Sequence, residues 1–212
     1  MNYIRRTISA HLACPQKSLI GKFVMRKMAK RNDYLERCAV ECACLSPTDT
    51  VLEIGFGHGL GLKYAAQKVK EGRVYGIDIS ELALYDAEEL LHEEIAANKV
   101  TLYHTPVNNI PLNSESISMA FSCNSFYFWP SIPTACAEIH RVLKPGGQLL
   151  TVQNIDNILA RKKRGGFERA NVDFVAYMKT LEEVGFEDVK IEYLNDQLTS
   201  KPYQCIRAIA SS

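Results

Sequence analysis

The sequence predicts an α/β fold in which helices cover both faces of one doubly wound, mostly parallel sheet of seven strands. Three observations lead to this prediction. Short apolar runs alternate along the chain with segments of helical period, which is typical of βαβ units. The 212 residues are 47% hydrophobic and 23% charged, which suits one globular domain with a sizeable core. Glycines follow the first predicted strand, where the chain turns into a helix.

The first part of the sheet follows from apolar runs that turn-prone residues bound. Ser46-Pro47-Thr48-Asp49 precedes the first run, and glycines follow it. Ser80 is a suitable N-cap for a long acidic helix. The predicted strands here are 51–54, 73–78, 100–104 and 117–123, and the predicted helices are 60–69 and 81–97.

The second part of the chain continues the alternation. Pro130 is predicted to open a helix, and Lys144-Pro-Gly-Gly147 to form a turn. Residues 155–169 carry five Lys or Arg and are predicted to form a solvated loop. Gly185 is predicted to end the last helix. The helices expected here are 130–141 and 172–184, and the strands are 148–153, 186–194 and 203–209.

The glycine segment has the pattern Glu53-x-Gly55-x-Gly57-x-Gly59. Alternating glycines allow positive φ and let a ligand lie directly on the main chain. The dinucleotide fingerprint needs a third glycine at relative position six, where this sequence has Leu60 or Leu62, depending on the starting glycine. An NAD-dependent oxidoreductase is therefore a less favoured alternative.

This pattern resembles motif I of the class I S-adenosylmethionine-dependent methyltransferases. The resemblance implies that the glycine loop passes under the methionine part of S-adenosyl-L-methionine and that Glu53 helps to hold it. The loop residues to which it assigns cofactor binding are Gly55, Phe56, Gly57 and Gly59.

The next two strand ends supply the other expected cofactor contacts. Asp78 ends the second strand, where an acid accepts both ribose hydroxyls, and Ile79 follows it. The loop after the third strand resembles the family's adenine-binding loop, with Ile110-Pro111 as its turn. Pro106 stands where the family carries an acid, so Asn108 and the N–H of Val107 are expected to meet the adenine.

The segment after the fourth strand is expected to lie near the transferred methyl group. Residues 118–130 resemble the family's fourth strand and loop, in a branch with a Tyr127-Phe128-Trp129 motif. Asn124 and Tyr127 are the predicted catalytic residues, and Asn124 also contacts the cofactor. His58 is a candidate base. Residues 138–147 resemble the helix and turn that follow, and an antiparallel last strand is implied at the carboxyl end.

Together these features predict a Rossmann-like methyltransferase that transfers a methyl group to a small, partly apolar acceptor. A catalytically silent cofactor-binding scaffold is the alternative from another functional class. Ser125-Phe126 replaces the two prolines of the motif in amino-methylating DNA enzymes, and net charge is only +1, so no nucleic acid is expected. No metal site or membrane-spanning segment is expected, the compartment predicted is cytoplasmic, and the oligomeric state stays open.

Residues 1–45 are predicted to be a helical arm that precedes a methyltransferase domain at 46–212. Residues 1–32 contain eight Lys or Arg and no acid. Leu19, Ile20, Phe23 and Val24 lie at near-helical spacing among the cations, and the helical pattern continues through 34–44. Three interpretations are open: a lid helix over residues 17–31, a mitochondrial transit peptide, and a basic surface for acidic lipids. The lid is favoured, with its apolar face inward and its cations outward.

Overall fold

The computed structural model describes residues 14–163 and 171–211, which form seven helices and one seven-stranded sheet. The helices are α1 (Leu19–Cys42), α2 (Leu60–Lys68), α3 (Glu81–Leu90), α4 (His92–Ala96), α5 (Ile132–Val142), α6 (Ile155–Lys163) and α7 (Phe174–Val184). The strands are β1 (Thr50–Ile54), β2 (Arg73–Asp78), β3 (Val100–His104), β4 (Ile117–Cys123), β5 (Leu143–Gln153), β6 (Phe186–Asn195) and β7 (Pro202–Ala210). A 3₁₀ turn at Phe126–Phe128 follows β4.

The strand order is β3-β2-β1-β4-β5-β7-β6, and β7 runs antiparallel to both of its neighbours. The other pairs are parallel. This confirms the predicted seven-stranded, mostly parallel sheet with an antiparallel last strand. The chain reverses its winding direction between β1 and β4, so a crevice opens at the carboxyl ends of these two strands.

Successive residues of the central strands pack into different halves of the core. Val51 of β1 packs with α1, α2 and α3 on one face of the sheet, and its neighbour Leu52 packs with α5 and α7 on the other. Side chains alternate along a strand, so a strand that is covered on both faces must be apolar throughout. The apolar runs of the sequence therefore correspond to buried strands.

Helix α1 is continuous over 24 residues, as the unbroken pattern predicts, and the Ser18 hydroxyl caps it by accepting from Gly21 N–H at 2.9 Å. The prediction of its buried face is wrong for three of four residues. Val24 is buried, as are Met25 and Leu35, but Leu19, Ile20 and Phe23 point outward. Gly21 is buried instead, because the Gln16 carbonyl lies where its Cβ would be.

Three predicted element bounds are also wrong. The helix expected over 81–97 breaks at the buried Leu91, whose backbone leaves the helical region (φ −113°, ψ 20°). A one-residue break barely disturbs the apolar period, so the sequence does not reveal it. The helix expected to open at Pro130 starts at Ile132, because Ser131 is its N-cap. Strand β5 already begins at Leu143, with 144–147 bulging out of its pairing with β4.

The loop predicted over 155–169 is also wrong in its first part, where the chain forms α6. The Asn154 side chain accepts from Asn157 N–H at 2.9 Å and so caps this helix. Ile158 is buried, and the basic residues of 161–163 lie in the last turn, where they complement the helix dipole. Residues 164–170 lie outside the described residues. Within the described ranges, no helix is both long enough and apolar enough to cross a membrane.

Candidate active site

The carboxyl ends of β1, β2, β3 and β4 converge on a cavity of about 130 Å³, which α1 covers from the side. Each strand end contributes a short segment to the wall of this cavity. Those segments are 54–58, 77–79, 105–107 and 123–125, and the α1 residues that line it are Met25, Met28, Ala29, Asn32 and Glu36. The topology therefore brings together the four segments that the sequence singles out, and α1, the helix of the predicted arm, lines the same cavity.

The glycine loop is held by its own backbone. Gly55, Gly57 and Gly59 have φ values of +75°, +53° and +87°, a region that L side chains rarely adopt. Gly55 N–H donates to Ile77 O at 2.8 Å, which ties the loop to the end of β2. A Cβ at Gly55 would lie 2.8 Å from Ser125 Cβ, whereas a Cβ at Gly57 would meet no atom within 4 Å. Gly55, Phe56 and Gly57 line the cavity, and Gly59 does not.

Asp78 lies at the wall of the cavity, next to the glycine loop. Its two carboxylate oxygens accept from Gly57 N–H at 2.9 Å and from Ser80 N–H at 2.8 Å. Burial raises the pKa of the Asp78 carboxyl, and these backbone donors oppose that shift. The carboxylate is thus oriented from behind, and both Asp78 and Ile79 line the cavity as expected.

The loop after β3 contributes Thr105, Pro106 and Val107 to the cavity, but Asn108 is exposed and does not line it. Helix α5 fixes this loop through an ion pair. Glu138 Oε1 accepts from Ile110 N–H at 2.9 Å, and Arg141 donates to Ile110 O at 3.0 Å. Arg141 also binds Glu138 at 2.8 Å, so the charges position the loop and each other. Glu138 and Arg141, which belong to the segment 138–147 that resembles the family, thus hold the loop after β3 in place.

Asn124 follows β4 and lines two cavities at once. Its φ of +50° is left-handed, a conformation that asparagine tolerates better than most residues. Its Nδ2 donates to Asn32 Oδ1 at 3.3 Å, while its buried Oδ1 has no hydrogen-bond partner among the described residues. A strained backbone and an unpaired buried oxygen at a cavity wall are typical of functional residues.

The second cavity, of about 430 Å³, lies beside the first and has a mixed wall. Of its aromatic residues, Tyr127 and Phe128 come from the 3₁₀ turn, and Tyr34 comes from α1. Its polar and charged residues come from α1, from the loop after β4, from the start of α6 and from the β6–β7 connection. They are Arg31, Asn32, Asn124, Asn154, Asp156, Asn157 and Lys201, with Arg161 from the last turn of α6.

The aromatic residues after β4 lie in different places. Phe126 stacks on Tyr177 of α7, with ring centroids 4.2 Å apart, and belongs to the core. Tyr127 is buried at the wall of the second cavity, and burial raises the pKa of its phenol. Phe128 and Trp129 line the first cavity. Because burial raises the pKa of Tyr127, its hydroxyl stays neutral over the ordinary pH range.

His58 lines the first cavity but not the second. Its Nδ1 is buried and has no hydrogen-bond partner among the described residues. It lies on the side of the glycine loop, so the structure does not bring it to the wall of the second cavity with Tyr127.

Two carboxyl groups lie together under the glycine loop. Glu53 is fully buried and does not line either cavity; its carboxyl points at the start of α2, where a Cβ on Gly61 would lie 2.4 Å from Oε1. Glu36 of α1 faces it, lines the first cavity, and has a buried Oε2 without a partner among the described residues. Burial raises the pKa of Glu36 to about 7. Burial and then the Glu36 charge raise the pKa of Glu53 well above its usual range.

Sequence reasoning missed Glu36 and Asn32, although a signal was present. They are four residues apart in the predicted helix of the arm, so they share one face, and Met28 lies on the same face. Polar residues on the buried face of a helix need partners, which is a reason to look for a ligand.

Comparisons with known proteins agree with this geometry. Residues 52–151 match the family model described as a methyltransferase domain. The chain is 28% identical over 170 residues to the uncharacterized methyltransferase YdaC of Bacillus subtilis (strain 168), a match that covers 79% of this chain and 88% of the relative. It is 31% identical over 111 residues to the demethylmenaquinone methyltransferase of Symbiobacterium thermophilum, which covers 50% of this chain and 43% of that protein.

A solved structure shows the same fold. The S-adenosylmethionine-dependent methyltransferase from Aquifex aeolicus superposes with a TM-score of 0.70 at 22% identity, covering 88% of this chain and 96% of that one. The antiparallel last strand, the glycine loop at the end of β1 and the acid at the end of β2 lie as the resemblance predicts. Residues 52–151 therefore form a methyltransferase domain, and the chain has the fold of the class I S-adenosylmethionine-dependent methyltransferases.

Proposed function

We propose that this protein transfers the methyl group of S-adenosyl-L-methionine to a small, partly apolar acceptor that lies in the second cavity. The observation that carries the proposal is the pair of neighbouring cavities, which share Asn124, Asn32, Met28 and Phe128 as a common wall. Methyl transfer is an in-line displacement, so it needs two ligands whose reacting atoms meet at one boundary. The second cavity lies within the usual size range of small-molecule sites.

The first cavity suits the cofactor in its polar groups. Asp78, already oriented by two backbone donors, accepts the ribose hydroxyls. Ile79 and Val107 flank the adenine, and the exposed side chain of Asn108 contacts it only from the rim. Gly55, Phe56 and Gly57 lie under the methionine part.

Glu36 is the proposed partner of the cofactor's α-ammonium group. Its buried, unpaired Oε2 at the cavity wall is the donor-seeking atom that such a cation would satisfy. Glu53, which the resemblance assigns to holding the methionine part, lines neither cavity, and its two carboxyl oxygens are buried next to Glu36. The cavity is narrow, so we expect α1 to shift when the cofactor enters, as a lid does.

The bound cofactor supplies a sulfonium methyl group, and the chain supplies alignment and exclusion of water. Asn124 lies at the boundary and positions the reacting atoms. Tyr127 offers a neutral hydroxyl that holds the acceptor and does not act as a base. His58 lies on the cofactor side, so it serves as a base only for an acceptor that reaches across Asn124.

The acceptor class follows from the wall of the second cavity. Tyr127, Phe128 and Ile158 suit a planar or apolar body, while Arg31 and Lys201 lie where oxygen atoms of the acceptor would be bound. The relative from Symbiobacterium thermophilum is a demethylmenaquinone methyltransferase, which makes a hydroxylated naphthoquinone the first acceptor to test.

The test begins with the cofactor. Adenosylhomocysteine at roughly 100 times its dissociation constant should stabilise the protein by about 2.7 kcal/mol, and NAD should not. An acceptor screen with radiolabelled S-adenosyl-L-methionine then follows transfer to the acceptor. A melting shift with NAD and none with millimolar adenosylhomocysteine would refute the cofactor assignment. Binding without transfer to any acceptor would favour the silent scaffold.

A further inference from the structure

Helix α1 has a second face, opposite the one that lines the cavities. Its first turns expose three large apolar side chains: Leu19 is 89% exposed, Phe23 65% and Ile20 50%. Leu19 and Phe23 are four residues apart and so lie one above the other on the helix surface. Ordering a helix so that its largest apolar groups face water is unfavourable unless something covers them.

The same face is strongly cationic. Lys22, Arg26, Lys27 and Lys30 are all exposed, and residues 19–32 contain no acid. Within the described residues, Lys22, Arg26, Lys27 and Lys30 form no ion pair. The charge is concentrated here, since the whole chain carries a net charge of only +1.

The combination of exposed apolar and cationic side chains indicates the chemistry of the partner. Nucleic acid would neutralise the cations but leave the apolar side chains in water, and an ordinary apolar protein groove would leave the cations unpaired. An anionic lipid surface satisfies both, because apolar side chains enter the headgroup boundary while Lys and Arg remain among the phosphates. We propose that the exposed face of α1, defined by Leu19, Ile20, Phe23 and the four cations Lys22, Arg26, Lys27 and Lys30, binds the surface of anionic membranes.

The helix that carries this surface also lines both cavities. Met28 and Arg31 of the same helix line the second cavity. Binding through α1 would hold that cavity close to the lipid, where an apolar acceptor is concentrated. This consequence alone rests on the proposed function, while the lipid binding stands independently of it.

The test is co-sedimentation of the full chain with vesicles. We expect binding to phosphatidylcholine vesicles that contain about 30% phosphatidylglycerol, weaker binding at high salt, and little binding to pure phosphatidylcholine. Leu19→Ser/Phe23→Ser should weaken the partition by roughly tenfold or more. Neutralising the cations, as in Lys22→Gln/Arg26→Gln, should weaken it about fivefold for each charge removed.

A matched control uses exposed apolar residues elsewhere. Val175 and Leu198 are 78% and 76% exposed, so Val175→Ser/Leu198→Ser should leave vesicle binding unchanged. Equal binding to neutral and anionic vesicles, no binding to either, or equal loss in the control variant would overturn the proposal. Sedimentation velocity showing a dimer that Leu19→Ser/Phe23→Ser dissociates, without vesicle binding, would overturn it too and assign this face to a second copy of the chain.

Discussion

Replacing Glu36 by Gln gives the sharpest test of how the site holds its cofactor. The substitution keeps the size and one carbonyl oxygen of the side chain but removes its charge. If the buried Oε2 accepts from the cofactor's ammonium group, the variant loses one charge-assisted hydrogen bond. Such a bond contributes about 1.5–3 kcal/mol, so adenosylhomocysteine should bind about 10- to 150-fold more weakly.

The assay is titration calorimetry with two ligands. Adenosylhomocysteine carries the amino acid part, and 5′-methylthioadenosine lacks it. Glu36→Gln should weaken only the first. Glu41→Gln is the matched control, because Glu41 lies on the same helix, is exposed and lines neither cavity. Equal weakening of both ligands would show a merely structural role, and unchanged affinity for adenosylhomocysteine would remove Glu36 from the contact.

The same contact predicts a pH dependence of binding. Burial raises the pKa of Glu36 to about 7, so the carboxyl must release its proton when it pairs with a cation below that pH. Affinity for adenosylhomocysteine should therefore fall about tenfold per pH unit below pH 7 and level off above it. The groups that face Glu36 are Glu53, Asp33 and Cys123, and burial raises the pKa of both Glu53 and Cys123 well above their usual values. The dependence should disappear in Glu36→Gln, and a persistent slope would assign it to another group.

The remaining predictions concern the loop, the ribose contact and stability. Asp78→Ala should weaken adenosylhomocysteine binding by about 1.5–3 kcal/mol by calorimetry and also lower the melting temperature, because two backbone N–H groups lose their acceptor; unchanged affinity would contradict the ribose role. Gly57→Ala should lower the unfolding free energy by about 1–2 kcal/mol, because alanine is strained at its positive φ. Gly55→Ala should lower it by the same amount and by about 1–3 kcal/mol more, because its Cβ would also contact Ser125. Equal denaturation midpoints for the two variants would argue against this steric contact. The unfolding free energy of the apo protein should fall as pH rises from about 5 to 7, because Glu36 ionises at a lower pH in the unfolded chain than in the folded one. Denaturant titrations of Glu36→Gln should show a shallower fall. Equal pH slopes of the unfolding free energy in the variant and the unaltered protein would refute this.

Local sequence patterns predicted most of the strands and helices. Strands β2, β3 and β4 fall on the predicted ranges, because each contains apolar residues between turn-prone or polar segments. Helix α6 was missed because its signals, an Asn cap and one buried Ile among charged residues, also suit a solvated loop. The pattern of α1 predicted its helicity but not its orientation, because apolar residues occur around most of its first turns.

The sequence by itself determined the glycine loop, the acid at the end of β2 and the order of strands and helices, because these depend on backbone conformations and periods that neighbouring residues dictate. Only the tertiary structure decided which side chains share a cavity. Glu36 lies next to Glu53, more than 15 residues away along the chain. Lys201 and Tyr127, more than 70 residues apart, both line the second cavity. It also decided that α1 buries Met25 and exposes Leu19 and Phe23. Such contacts follow from how a helix rotates to pack against a sheet, and no local pattern specifies that rotation.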